Sequence, residues 1–69
     1  AQIYNSRGIA FYIKGEDDLA MKDYNKAIEL NPNEADIYYN RGLTYRNTGN
    51  LEKYHTDMKK YKELTNQKD

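Results

Sequence analysis

Residues 1–34, AQIYNSRGIAFYIKGEDDLAMKDYNKAIELNPNE, are answered by residues 35–68, ADIYYNRGLTYRNTGNLEKYHTDMKKYKELTNQK, and aligning these two stretches decides the fold. Ala1, Ile3, Tyr4, Arg7, Gly8, Gly15, Asp23, Lys26, Glu29 and Leu30 recur 34 positions later as Ala35, Ile37, Tyr38, Arg41, Gly42, Gly49, Asp57, Lys60, Glu63 and Leu64. Most of these are residues with a structural job, glycines at one phase and aromatic or aliphatic side chains at helical spacing. A period of this size marks one supersecondary unit stacked on the next. The repeat therefore describes architecture before it describes a ligand.

Working outward, each half reads as two helices. Ile3, Tyr4, Arg7, Gly8, Phe11 and Tyr12 follow the rhythm of an amphipathic helix, which Gly15 closes from the left-handed position just past its end. The spacing predicts a second helix from about Asp17 to Leu30 with the stripe Ala20, Tyr24, Ala27 and Ile28. Asn31-Pro32-Asn33 ends it, because the residue before a proline avoids the helical region. Asn33 is expected to cap a third helix from about Glu34 to Asn47, with Asp36 favoured by the positive end of the helix dipole. After the turn Thr48-Gly49-Asn50, a fourth helix to about Thr65 carries Leu51, Tyr54, Met58, Tyr61 and Leu64 or Thr65 on one face.

Composition narrows the functional classes. The 69 residues allow one domain, and lost chain entropy of about 1.5 kcal/mol per residue nearly cancels what so small a core gains by burial. The formal net charge is zero, so no field draws nucleic acid or an anionic membrane to the surface as a whole. No apolar run approaches membrane-spanning length. With no cysteine there is neither a disulfide framework nor a thiolate metal site, which fits a cytoplasmic location. The start at the first residue of a repeat, without an initiator methionine or targeting segment, reads as an excised fragment.

No constellation carries enzyme chemistry. His55 is the single histidine, with no cysteine and no serine at helical spacing beside it, and is expected to be exposed and idle. Glu16-Asp17-Asp18 lacks the spaced oxygen ligands and turn glycine of a calcium loop, and acidic residues suit a helix N-terminus in any case. Gly8, Gly15, Gly42 and Gly49 never cluster into a phosphate cradle. Lys59-Lys60-Tyr61-Lys62 is offset by Glu52, Asp57, Glu63 and Asp69, so a solvated face is preferred to a nucleic-acid surface. Catalytic residues, cofactor and metal are all expected to be absent.

The order Tyr4, Arg7-Gly8, Phe11, Gly15, Ala20, Tyr24, Ala27, Pro32 resembles the tetratricopeptide repeat, and Tyr38, Gly42, Tyr45 and Gly49 renew it in the second half. Arg7 and Asp17 depart slightly from the family pattern; Tyr54 and Tyr61 in place of alanines, Met58 in place of an aromatic and Asn66 in place of the proline depart more. The resemblance implies an all-α solenoid of two helix-turn-helix repeats, residues 1–34 and 35–69, built from four antiparallel helices. It further implies a non-enzymatic scaffold whose first helices line a concave groove for a protein or peptide partner. Carried over by position, that groove presents Asn5, Ile9, Tyr12 and Ile13 from the first repeat and Tyr39, Asn40, Leu43, Arg46 and Asn47 from the second. Asn40 matches an asparagine that holds a peptide's terminal carboxylate in some family members. Asn5 stands where the accompanying lysine would be and Ile9 replaces a second asparagine, so a full carboxylate clamp is not expected.

The fourth helix supplies the alternative. His55 and Lys62 replace Met21 and Ile28 of the first repeat, making one face wet, as a terminal capping helix requires. Tyr54 falls where an alanine would lie against Gly42, and a phenol ring overpacks a contact shaped for a methyl group. The last two helices are therefore expected to splay and to expose Leu51, Met58 and Tyr61. Covering Leu51, Tyr54, Met58 and Tyr61 with a second copy would give a homo-oligomer, exchange of the fourth helix being one geometry; the alternative, preferred to a swap, is that the fourth helix rotates slightly and its tyrosines lie along the groove edge as a cap. The tail Asn66-Gln67-Lys68-Asp69 is expected to fray.

Overall fold

In the computed structural model, which describes residues 2–66, the chain forms α1 (Gln2–Ile13), α2 (Asp17–Leu30), α3 (Ala35–Asn47) and α4 (Leu51–Thr65). No strand occurs among the described residues. Of the tail expected to fray, residues 67–69 lie outside them. Short turns make each helix antiparallel to the last. Every helix packs on its neighbour in the chain, and α1 also reaches α3.

The helix ends follow from single residues. Gly15 and Gly49 adopt φ of +83° and +88°, which lets the chain reverse without a Cβ clash. Around them, the Glu16 N–H donates to the Phe11 carbonyl at 2.8 Å and the Asn50 N–H to the Tyr45 carbonyl at 2.9 Å. These are the six-to-one bonds of a Schellman ending, made twice at the same phase. The Asn50 side chain also caps α4 by accepting from the Lys53 N–H. The expected Asn33 cap does not form: α3 starts one residue later, with Glu34 at the cap position and no side-chain bond. The linker is held from the other side, where the Tyr38 hydroxyl donates to the Pro32 carbonyl at 2.8 Å.

Across the Cα atoms the fold measures 37 × 26 × 16 Å, a slab too thin for a deep interior. Its core is Ala20, Tyr24, Ala27 and Ile37, ringed by partly buried Tyr4, Ile9, Phe11, Tyr12, Met21 and Ile28. The α2 stripe lies at the centre because α2 packs between its pair partner α1 and the α3 helix of the next repeat. Ile3, predicted on the buried stripe of α1, is instead 79% exposed, because none of the described helices packs over that side of α1.

The predicted splaying of α3 from α4 is not observed. A Cβ added to Gly42 would come within 2.5 Å of Met58 Cε and 3.3 Å of Asp57 Cβ, so the two helices are in close contact there. Tyr54 meets the glycine through its backbone, its carbonyl oxygen lying 3.6 Å from that Cβ position. The ring turns aside and lies under the guanidinium of Arg46, 5.5 Å from its centroid. Tyr61 likewise stays within the fold, its ring centroid 5.2 Å from that of Tyr39. A side chain at the alanine position therefore need not enter the contact with Gly42 to be accommodated.

Candidate functional site

Two ion pairs built at the same phase of each repeat hold the helix hairpins together. Arg7 donates through Nε and Nη2 to Asp23 at 2.8 and 2.9 Å, and Arg41 through Nε and Nη2 to Asp57 at 2.9 and 2.8 Å. Paired N–H groups meeting paired carboxylate oxygens give strong, directional contacts. Both aspartates are buried, which only such pairing makes tolerable. The hydrogen bond from Arg7, with its positive charge, holds the Asp23 carboxyl below its ordinary pKa, while the hydrogen bond that Arg41 donates to Asp57 raises Arg41 above its own. Arg41 also lies over the rings of Tyr38 and Tyr45, each at 5.7 Å, and its third nitrogen Nη1 donates to Asn25 Oδ1 of the first repeat at 3.0 Å. All four charged residues recur with the repeat, but nothing local in the sequence pairs them. Their common separation of 16 residues was the available signal.

On the face formed by the first helices, Asn40 Nδ2 donates to Asn5 Oδ1 at 3.0 Å and joins α3 to α1. Ile9 and Tyr12 pack against the core, Leu43 is half-buried, and Ile13 and Tyr39 are exposed. Arg46 and Asn47 are engaged by other partners. Arg46 is occupied by the Tyr54 ring, and Asn47 donates to Asp17 at the start of α2. The carboxamide of Asn40 is thus already engaged by Asn5.

The clefts described open elsewhere. One of about 430 Å³ is lined by Tyr4, Arg7, Phe11, Leu19, Asp23 and neighbouring lysines; another of about 430 Å³, lined by Arg41, Tyr45, Lys53, Asp57 and neighbours, is its equivalent one repeat on. Of the four side chains predicted to meet a second copy, Leu51 is 55% exposed, while Tyr54, Met58 and Tyr61 are half-buried by contacts within the chain. His55 is exposed, with its ring 5.1 Å from that of Tyr54. Among the described residues, no group of three or more acidic, histidine or cysteine side chains is placed to hold a metal ion, and no helix is long and apolar enough to cross a membrane.

Comparison with known proteins agrees with this geometry. A family model described as TPR repeat matches residues 8–49, and one described as Tetratricopeptide repeat matches residues 35–68. An uncharacterized protein of Methanocaldococcus jannaschii is 38% identical over 52 residues, which cover 75% of this chain and 60% of that protein. A TPR repeat-containing protein of the same organism is 40% identical over 52 residues, 75% of this chain but 16% of its own length. The chain therefore spans less than two thirds of either relative. Repeats of this kind generally serve as non-enzymatic scaffolds for protein–protein contact. Doubled helix pairs, doubled Schellman turns and matches running through both halves place the chain in the tetratricopeptide repeat family.

Proposed function

We propose that the face of α1 and α3 binds an extended segment of a protein partner, with Ile9, Tyr12, Tyr39 and Leu43 as apolar anchors and the Asn5–Asn40 pair as the polar register. The observation that carries this reading is the 3.0 Å bond between those two amides. An amide paired through one donor and one acceptor keeps another donor on Asn5 Nδ2 and an acceptor on Asn40 Oδ1. That combination complements the carbonyl and N–H of a peptide backbone better than it does an anionic terminus. Ile13 and Tyr39 extend the apolar surface on either side, and aromatic and aliphatic anchors supply most of the affinity in such contacts.

The test is an NMR titration of the 15N-labelled chain with a set of leucine-rich, acidic decapeptides amidated at the C-terminus. Shifts are expected at Asn5, Ile9, Asn40 and Leu43, and Asn40→Ala should weaken binding about tenfold, or ~1.4 kcal/mol. Shifts confined to Leu51–Lys62, or an affinity indifferent to Asn5→Ala and Asn40→Ala, would sink the proposal.

A further inference from the structure

Tyr54 and Tyr61, the two tyrosines that depart from the repeat pattern, give the second helix pair a feature that the first pair lacks. Their counterparts Ala20 and Ala27 are fully buried, whereas both tyrosines are half-buried, with their rings against side chains of α3. Tyr61 meets Tyr39 at 5.2 Å between ring centroids, and the Arg46 guanidinium lies 5.5 Å from the Tyr54 ring centroid. In the first pair the same positions hold Asn5 with Ala27 and Tyr12 with Ala20, so neither rung can form there. Tyr39 and Arg46 are seven residues apart on α3, as Tyr54 and Tyr61 are on α4, which separates the rungs by about 10.5 Å along the helices. Tyr39, Leu43 and Arg46 share one stripe of α3, with Leu43 between the rungs. Tyr39 is 41% exposed and Arg46 is exposed, so each rung shows a flat group to solvent, a phenol at one and a guanidinium at the other. Arg46 makes no ion pair among the described residues.

We infer, resting on the partner-binding role proposed for the α1–α3 face, that the segment it takes is proline-rich and in the polyproline II conformation, with two prolines three residues apart on the two rungs and an acidic side chain paired with Arg46. The spacing selects this conformation. Polyproline II has three residues per turn and rises about 3.1 Å per residue, so side chains three apart share a face about 9.3 Å apart, close to the rung separation. A fully extended strand puts same-face side chains about 6.6 and 13 Å apart and straddles the rungs. A helix also returns a side chain to the same face after seven residues, but its carbonyls are bonded internally. The face is rich in donors, namely Asn5 Nδ2, the Arg46 guanidinium and the hydroxyls of Tyr39 and Tyr61, and these suit a backbone whose carbonyls are free and whose prolines lack an N–H. Aromatic rings are the usual platform for such a segment. The charge is complementary as well: the uncompensated cation of the ladder is Arg46, whose planar fork can grip a carboxylate while its face stays on the Tyr54 ring.

The test titrates the 15N-labelled chain with acetylated, amidated decapeptides in which two alanines separate two prolines and a single glutamate stands either before the first proline or after the second. Companion peptides replace both prolines by leucine, or set the prolines only one alanine apart. Shifts are expected at Tyr39, Arg46, Tyr54 and Tyr61 together with Asn40, and one of the two proline peptides should bind at least about tenfold more tightly than either companion. Tyr39→Ala should weaken that binding about tenfold, and Arg46→Glu should do the same until lysine replaces the peptide's glutamate. Leucine peptides that bind the α1–α3 face as tightly as the proline peptides overturn the inference and leave the partner-binding role standing. Prolines one alanine apart that bind equally well, or an Arg46→Glu chain indifferent to the charge of the peptide, overturn it too. A face that no peptide shifts overturns both.

Discussion

Tyr24 is 1% exposed, and its ring occupies the space a Cβ on Gly8 would need. Burial pushes its hydroxyl pKa up to about 12, with Thr44 acting in the opposite sense. The folded state therefore favours the neutral phenol. The stabilisation is fully present below the unfolded value near 10 and is lost as pH rises from there through about 12. A two-unit difference corresponds to about 2 to 3 kcal/mol. Urea titrations between pH 9 and pH 12 should show the wild type losing stability more steeply than Tyr24→Phe, and parallel curves would refute the assignment. The same residue illustrates legibility: its phase on the α2 stripe announced a core tyrosine, but nothing in the sequence said that Gly8 exists to admit its ring. The charged residues were less legible still. Arg7 read as a departure from the family pattern, yet with Asp23 it forms a contact repeated between Arg41 and Asp57, because a 16-residue separation becomes proximity only after two helices fold back on each other.

Helix pairs close on their glycines, and the two closures differ. At Gly8 an added Cβ would lie 2.6 Å from Cε1, 2.9 Å from Cδ1 and 3.2 Å from Cζ of the Tyr24 ring, a rigid group fixed in the core. At Gly42 the nearest atom is the tip of Met58, which can swing away. Alanine gains about 1 kcal/mol of helix propensity over glycine at either site. Gly42→Ala should therefore be neutral to within about 1 kcal/mol, and Gly8→Ala should destabilise by about 1 to 3 kcal/mol through overpacking. Chemical denaturation of the two variants checks the order, and equal losses would mean that Met58 is as immobile as the tyrosine. Element boundaries were readable because Gly15 and Gly49 permit the left-handed turn that other residues resist, while Pro32 restricts the backbone before it. The Asn33 cap was misplaced because the family of residues that cap helices also makes turns, and in this chain the linker is tied to α3 through Tyr38 and Pro32 instead.

At the scale of the whole molecule, stacking decides which apolar residues matter. Ile3 and Ile37 share one residue type and one phase, yet their exposures are 79% and 1%. Ile37→Ala should cost about 2 to 5 kcal/mol, as truncation of a buried aliphatic side chain does. Ile3→Ala should change stability by less than about 0.5 kcal/mol in the 69-residue chain. Thermal unfolding of both variants measures the contrast, and comparable losses would show that Ile3 is covered in solution. The period of 34, the glycines at one phase and the helical spacing of tyrosines and alanines determined the class, the four helices and their order, because turn geometry and amphipathic rhythm are local properties of the chain. Tertiary structure alone decided that Tyr54 turns its ring under Arg46 while α3 and α4 stay in contact, that Arg41 reaches back to Asn25, that Asn5 meets Asn40, and that one isoleucine is core while its twin is surface. Each of these depends on which side of a helix finds a neighbour, and that is set by the packing of distant segments rather than by the residues next in line.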